Sequence, residues 1–593
     1  MEFAHQGGPA VGVCGLLLLA LNSPLPGQIP DTASTDPVRV QVLPTPGSDL
    51  EDRTRIAQLL GGKTLDVSLI RSPSAEIRRL RPAGATLDWA FLAPEVTSTW
   101  NSAIPFSMND GAAWTGRGAT TQLRLGAALR YSLLSLVLAP EFTHSENRSF
   151  AYIHAQDHEL AEFHLPWYSR PPWVPWPRTI DLPVRFGERP TAEVTLGQST
   201  LTLSAGPVAA GASTENQWWG PGIRNAIVMS NNAEGFPHLF LRTERPLRSR
   251  IGSFEGKWIV GQLSESPYFD TLPKNDIRSL SGMVVTFRPT WDPSLTVGYA
   301  RTLYAPVQSR GAVPGRFADV ATRWKNRNDI EADPGDHYDQ VVSLFGRWVF
   351  PGDGLEVYGE WARHDLPSSM SELLEDIGYS QGYTLGTQWA RPVRDRGTLR
   401  LQGEITYLEQ NDDTRHGAPS YYIAATVPQG YTNRGQVIGA AIGPGGSSQW
   451  VAADYLAPAW SAGVFGGRIR WDNDSYYTAP RSILAWPFLG HDVSVLGGVR
   501  GRYSSRWFQV TAQLTTTKRY NYLFQNRGQS WETADDAVDV RNYTLQLGIV
   551  ALGGGLRRSA RTEAVLPPVH PTGASRNVVL EEGTERQEGP GSN

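Results

Sequence analysis

Between residues 117 and 552 apolar and polar side chains alternate with a period of two, segment after segment. Leu123, Leu125, Ala127 and Leu129 alternate with Gln122, Arg124, Gly126 and Arg130, and Leu399, Leu401, Gly403, Ile405 and Tyr407 with Arg400, Gln402, Glu404 and Thr406. Val493, Val495, Val499 and Tyr503 oppose Ser494, Arg500 and Arg502; Phe508, Val510, Ala512 and Leu514 oppose Gln509, Thr511, Gln513 and Thr515; Tyr543, Leu545, Leu547 and Ile549 oppose Asn542, Thr544, Gln546 and Gly548. Alternation at this period predicts strands with one apolar and one polar face. Pro351-Gly-Asp-Gly354, Arg394-Asp-Arg-Gly397 and the Pro-containing stretch 288–294 supply short turns between neighbours. Longer Gly-, Pro- and Asp-rich insertions at about 146–190, 305–336, 411–447 and 472–490 separate other pairs, so one end is tight and the other elaborate.

A soluble sandwich or propeller also alternates. Here, however, the polar rows carry repeated Arg, Glu and Gln, whereas the opposite rows are almost purely apolar and aromatic, as in a membrane-spanning barrel with a wet lumen. The fold class expected is therefore all-β: a transmembrane antiparallel β-barrel of about 16–18 strands over residues 112–552. Trp348, Phe350, Trp361, Trp389, Trp460 and Trp471 fall at strand ends, suiting an interfacial girdle.

Upstream, Val11–Leu21 is an unbroken apolar run of signal-peptide length, and a cut near Gly27 makes residues 1–27 a signal peptide. Residues 28–111 form a small helical or irregular periplasmic or plug element. Within it Asp49–Gly61 predicts a short helix with Ser48 or Asp49 as N-cap and Gly61-Gly62 as the stop, and Ser74–Arg81 a second. Residues 553–593 read as a disordered polar tail.

Composition narrows the function. The 54 basic against 58 acidic residues leave a net charge of −4, without the basic face that nucleic acid requires. No apolar stretch of transmembrane-helix length follows the leader, and a mean hydropathy of −0.32 is compatible with strands that show lipid only alternate side chains. The single cysteine, Cys14, lies in the leader, so the mature protein is expected to have neither disulfides nor a Cys-based metal site.

The most specific stretch is Glu215-Asn-Gln217-Trp218-Trp219-Gly220-Pro221-Gly222, followed by Arg224, then Ile227-Val-Met-Ser-Asn231-Asn232 and Phe236-Pro237. Asn109-Asp-Gly-Ala112 and Ile180-Asp-Leu-Pro-Val-Arg-Phe-Gly187 precede it. Together these pieces resemble the signature of the capsule assembly Wzi family of bacterial outer-membrane proteins, over about residues 45–552. The resemblance implies an eighteen-stranded barrel with a helical periplasmic element, acting as a lectin-like surface protein that tethers capsular polysaccharide. Glu234-Gly235 stands where the family carries Arg or Lys.

The motif admits two roles. Trp218 and Trp219 point to opposite sides of an extended chain, so one could stack on a sugar ring while Glu215, Gln217, Asn231 and Asn232 bond hydroxyls and Arg224 meets an acidic sugar. Alternatively Gly220-Pro221-Gly222 forms a rigid turn and the Trp pair pins it inside the lumen. Of these, pinning is the more favoured by the burial habits of Trp and Gly. Other candidates carry less chemistry. His144-Ser145-Glu146 cannot form a relay as three consecutive residues, although with a distant partner His144 and Ser145 could serve a barrel-wall lipid hydrolase. Asp157-His-Glu159 and His337-Tyr-Asp339 each offer one His without a second ligand, and Asp329, Glu331, Asp333, Asp336 and Asp339 lack a calcium-loop pattern. The expectation is a non-enzymatic, monomeric outer-membrane protein without metal or cofactor, contacting outer-membrane lipids and retaining surface polysaccharide. A porin or solute channel is the alternative.

Overall fold

The computed structural model describes residues 40–61, 68–74, 87–150, 180–269, 275–323, 338–364, 369–393, 397–411, 420–424, 426–478, 490–524 and 539–552. The leader, the helix expected beyond Ser74, residues 157–159, the acidic stretch 329–336 with His337, and the tail lie outside them.

Eighteen antiparallel strands close into one barrel. In chain order they are β1 (Leu87–Asn101), β2 (Gly118–Tyr131), β3 (Leu134–Leu138 and Glu141–Ser145), β4 (Thr191–Thr195 and Thr200–Ala205), β5 (Val208–Ser213) and β6 (His238–Thr243). Next come β7 (Gly252–Ser264), β8 (Ile277–Pro289), β9 (Leu295–Pro306), β10 (Asp339–Phe350), β11 (Leu355–Arg363) and β12 (Gln381–Val393). The circuit ends with β13 (Gly397–Tyr407), β14 (Ser447–Leu456), β15 (Trp460–Arg470), β16 (Val493–Ser504), β17 (Phe508–Tyr520) and β18 (Val540–Ala551). Each strand pairs with its neighbour in sequence, and β18 closes on β1 with Thr544 opposite Asn101 and Val550 opposite Glu95. Closure leaves no unpaired edge for lipid to meet.

The boundary expected at residue 112 is too late. β1 is a wall strand from Leu87 onward, hidden in the sequence because its period of two breaks at a bulge over Ala93-Pro94, between the pairs Leu92–Gly126 and Glu95–Arg124.

The alternation sorts the two faces. On β13, Leu401 and Ile405 are 44% and 42% exposed on the outer wall, whereas Arg400, Gln402 and Glu404 point into the lumen at 3–6%. Ionised side chains are kept off the lipid face, where Arg or Lys at mid-depth costs about 2–4 kcal/mol. Trp348, Phe350, Trp361, Trp389 and Trp460 follow the outward rows. Trp471 does not belong to that girdle: its indole donates to Ser494 Oγ at 2.8 Å and packs on the lumenal core.

The lumen is filled by the chain itself. At the short-turn end, helix α1 (Asp49–Leu59), N-capped by Ser48, packs Ile56 and Leu59 on Val349, Ala390 and Leu456. Its polar face meets the wall: Arg55 Nη2 reaches Glu356 at 2.6 Å, Arg347 donates to Gln58 at 2.6 Å, and Arg400 pairs with Asp52. From the loop end, the β13–β14 connection runs back inside, burying Tyr421, Tyr422, Tyr431, Ile438 and Ile442. Between these two layers lies the segment that joins β5 to β6.

Candidate functional site: the lumenal lock

The chain leaves β5 at Ser213 and enters the lumen, where Glu215 is fully buried. Its carboxylate lies 3.2 Å from Lys257 Nζ and 4.0 Å from Arg242, and accepts the Ser74 N–H at 3.0 Å. Burial alone would raise the Glu215 carboxyl, but the charges of Lys257 and Arg242 and the Ser74 N–H outweigh it and hold it at about 2. Asn216 accepts from and donates to Gln198 and donates to the Ala233 carbonyl at 2.7 Å, while Gln217 Nε2 donates to the Glu215 carbonyl.

Trp218 and Trp219 are 1% and 0% exposed. They form a two-residue strand antiparallel to Ile70-Arg71, and the Trp219 N–H also donates to the Met229 carbonyl. The Arg71 guanidinium lies 4.5 Å over the Trp218 ring. Trp219 packs towards Gly282 of β8, where a Cβ would come within 3.0 Å of the indole. No indole face is open to a sugar ring.

The turn after the Trp pair is held from three sides. Gly220 has a φ of +103° that only glycine adopts easily, and a Cβ on Gly222 would sit 2.1 Å from the Asn225 carbonyl oxygen. The carbonyls of Pro221 and Gly222 accept from Arg55 and Arg71, each at 2.8 Å. Opposite them, Glu404 of β13 accepts three consecutive N–H groups, those of Ile223, Arg224 and Asn225, at 2.6, 3.0 and 2.8 Å, together with the Tyr358 hydroxyl at 2.8 Å. Glu360 of β11 accepts the Ile227 N–H at 3.1 Å. A wall carboxylate thus closes the turn much as an N-cap closes a helix. The Arg224 guanidinium lies 5.3 Å over Trp450, which Arg500 flanks at 5.4 Å.

The remaining motif pieces converge here. Asn231 donates to the Asn109 carbonyl at 3.1 Å and its own carbonyl accepts from Gly111; Asn232 Nδ2 donates to the Val437 carbonyl at 2.9 Å. Asn109 Nδ2 donates to the Arg224 carbonyl at 2.8 Å. Asp110 accepts from Ser107, Thr115 and the Met108 N–H; burial outweighs these bonds and the Arg224 charge and raises its carboxyl to about 6. Asp181 binds Ser266 through both its backbone N–H and its hydroxyl, and its own N–H donates to the Gln429 carbonyl. Glu234 pairs with Arg434 of the β13–β14 connection at 2.7 Å.

Sequence reasoning singled out the lock's loop and overlooked its keepers, Arg55, Arg71, Tyr358, Glu360 and Glu404. The signal available was that Glu404 and Glu360 occupy polar-row positions. His144 and Ser145 face opposite sides of the wall, His144 outward and Ser145 bonded to Thr120 at 2.8 Å in the lumen. Among the described residues no group of His, Cys, Asp and Glu is placed to hold a metal ion.

A closed eighteen-stranded barrel, apolar outside and packed inside by its own chain, defines a bacterial outer-membrane β-barrel protein. Residues 101–455 match the model of the capsule assembly protein Wzi family, and the chain belongs to that family. Among solved structures, Escherichia coli Wzi, described as an outer-membrane protein involved in group 1 capsule assembly and a carbohydrate-binding β-barrel, aligns over 85% of this chain and 98% of its own, with 11% identity and a TM-score of 0.52. OccAB4 of Acinetobacter baumannii (11% identity, 79% of this chain and 98% of its own, TM-score 0.35) and a BenF-like porin of Pseudomonas fluorescens (8%, 78% and 99%, TM-score 0.32) share too little geometry to carry an argument. No curated protein sequence matches the chain.

Proposed function

We propose that the protein is a lectin-like barrel that binds surface polysaccharide at its loop end and retains it on the cell. The observation that carries this reading is the lock itself: Glu404 and Glu360 tie the motif loop to the wall, and Ser230 and Asn232 tie it to the β13–β14 connection. A connection held this firmly offers a preorganised surface, which suits many weak contacts summed along a polymer. In this proposal Trp218, Trp219, Gly220, Pro221 and Gly222, with Glu215 and Gln217, hold the plug and do not touch sugar. Asn231, Asn232 and Arg224 position the loops that do, and the barrel acts as a monomer without enzymatic activity.

The test compares cell-bound with shed polysaccharide in the native host with and without the gene. Unchanged production with shedding supports retention, whereas unchanged attachment removes it. A solute channel is the second reading, favoured by the half-buried lumenal residues Gln122, Thr511, Gln513 and Gln546. Against it, Thr99, Asn101, Thr515, Thr517 and Asn542 of the same walls are buried towards the loop end. Planar-bilayer conductance of the purified barrel separates the two.

A further inference from the structure

The outer wall carries a second feature, independent of the lumen. On β9–β12 the outward side chains form rows by register: Tyr299, Leu344, Trp361 and Tyr383 lie in one, and Val297, Gly346, Gly359 and Leu385 in the next towards the short turns. Gly346 and Gly359 pair directly, so the lipid-facing backbone is bare between the aromatic row and Trp348 and Val357. The result is a groove of about 720 Å³, floored by the glycines and walled by Val285, Tyr299, Leu344, Trp361 and Leu385.

One row towards the loops the chemistry changes abruptly to Arg301, Val342, Arg363 and Gln381. Arg301 is not lipid-exposed, because residues 307–323 fold over the outside of β7–β9 and cover it, and Arg363 is covered from the β11–β12 connection, donating to the Asp376 carbonyl at 3.3 Å. Val307 and Val313 pack on Val260, and Phe317 stacks on Trp258 with centroids 5.3 Å apart. The Phe317 carbonyl accepts from Trp258 and Ser281, and the Val320 carbonyl from Arg301 at 2.7 Å. This collar carries three arginines, Arg310, Arg316 and Arg323, against one acid, Asp319, with Arg310 exposed. The β8–β9 side of the groove, at Val285 and Tyr299, therefore opens beneath this basic collar, a shelf on which Asp319 pairs with Arg316 and Arg323 at 3.3 Å each and Arg310 is exposed.

We propose that this groove and collar bind one molecule of a phosphorylated, multiply acylated saccharolipid of the outer leaflet, the lipid A class, with an acyl chain over Gly346 and Gly359 and a phosphate on the collar arginines. The apolar groove selects a chain, the shelf selects an anion, and only a lipid of the loop-side leaflet presents both in this order. An ordinary phospholipid has fewer chains and a single phosphate, and competes less well.

The test is native mass spectrometry of the full-length barrel extracted from outer membranes in mild detergent. The wild type is expected to retain one lipid A. Gly346→Leu, which fills a site where a Cβ meets nothing closer than 3.7 Å, should lose it while keeping the heat-modifiable mobility of a folded barrel. Arg310→Glu/Arg316→Glu should lower retention at least several-fold, and lipid A stripped of phosphate should bind the wild type no better than that variant. Equal retention by Gly346→Leu, or retention of phospholipid in place of lipid A, overturns the proposal.

Discussion

A single carboxylate concentrates the energetics of the lock. Glu404 satisfies three backbone donors and one phenol in the interior, and each buried donor left without a partner costs about 1–3 kcal/mol. Glu404→Ala is therefore expected to destabilise the folded barrel by several kcal/mol, and Glu404→Gln by less, since an amide oxygen still accepts; thermal midpoints of the heat-modifiable band measure both. Two other carboxyls give opposite dependences on pH. Glu215, held at about 2 in the fold, stabilises above the ordinary glutamate range, and its contribution is lost as pH falls from there through 2. Asp110 is raised to about 6, so its contribution is full below the ordinary aspartate range and is lost as pH rises through 6. Asp110→Asn should accordingly gain stability over the wild type at pH 7.5 and show little difference at pH 4, in paired melts at the two pH values.

At the scale of elements, helix α1 is held to the wall by buried charge. Glu356 receives Arg55, Arg347 and Gln388, and removing one partner of such a group typically costs about 3–5 kcal/mol. Arg55→Ala also frees the Pro221 carbonyl, so it should loosen the helix and the turn together, seen as faster proteolysis within residues 49–61 in detergent. The helix itself was legible, since Ser48, the acidic first turn and Gly61 mark its ends; so were the strands whose two faces meet lipid and polar lumen. β1 was not, because Pro94 shifts its period and its lumenal Ala90 and Leu92 are as apolar as its outer face. The lock divides the same way. Trp218 through Gly222 announce themselves by composition, whereas Glu360 and Glu404 look like any lumenal carboxylate until the loop is seen against them. The covering of Arg301 by residues 307–323 had no signal at all, because an arginine in an outward row reverses the outward-apolar rule.

For the whole molecule, the largest apolar core is the lumen's own filling, with the wall wrapped around it. Tyr422 donates to the Ile227 carbonyl at 2.7 Å and Tyr431 to Val228 at 2.8 Å, so the β13–β14 connection and the motif loop support each other. Replacing residues 426–442 by a short Gly/Ser linker is expected to leave a barrel that still inserts, with raised conductance in planar bilayers and shedding of polymer from cells. Retained attachment in such a variant would place the binding surface elsewhere among the loops.

A cylinder packed from within cannot be stuffed through its finished wall. The motif loop, helix α1 and the β13–β14 connection lie inside a continuous ring of hydrogen bonds, and the ring's last junction by chain order is β18 against β1, where Asn542 bonds Asn101 and Gln546 faces Thr99. Assembly therefore has an order: the contents gather against a curved open sheet, and the seam shuts around them. A cysteine pair at Gln546 and Thr99, in a chain without Cys14, should cross-link only after the Trp pair is buried, which turns the seam into a clock for folding.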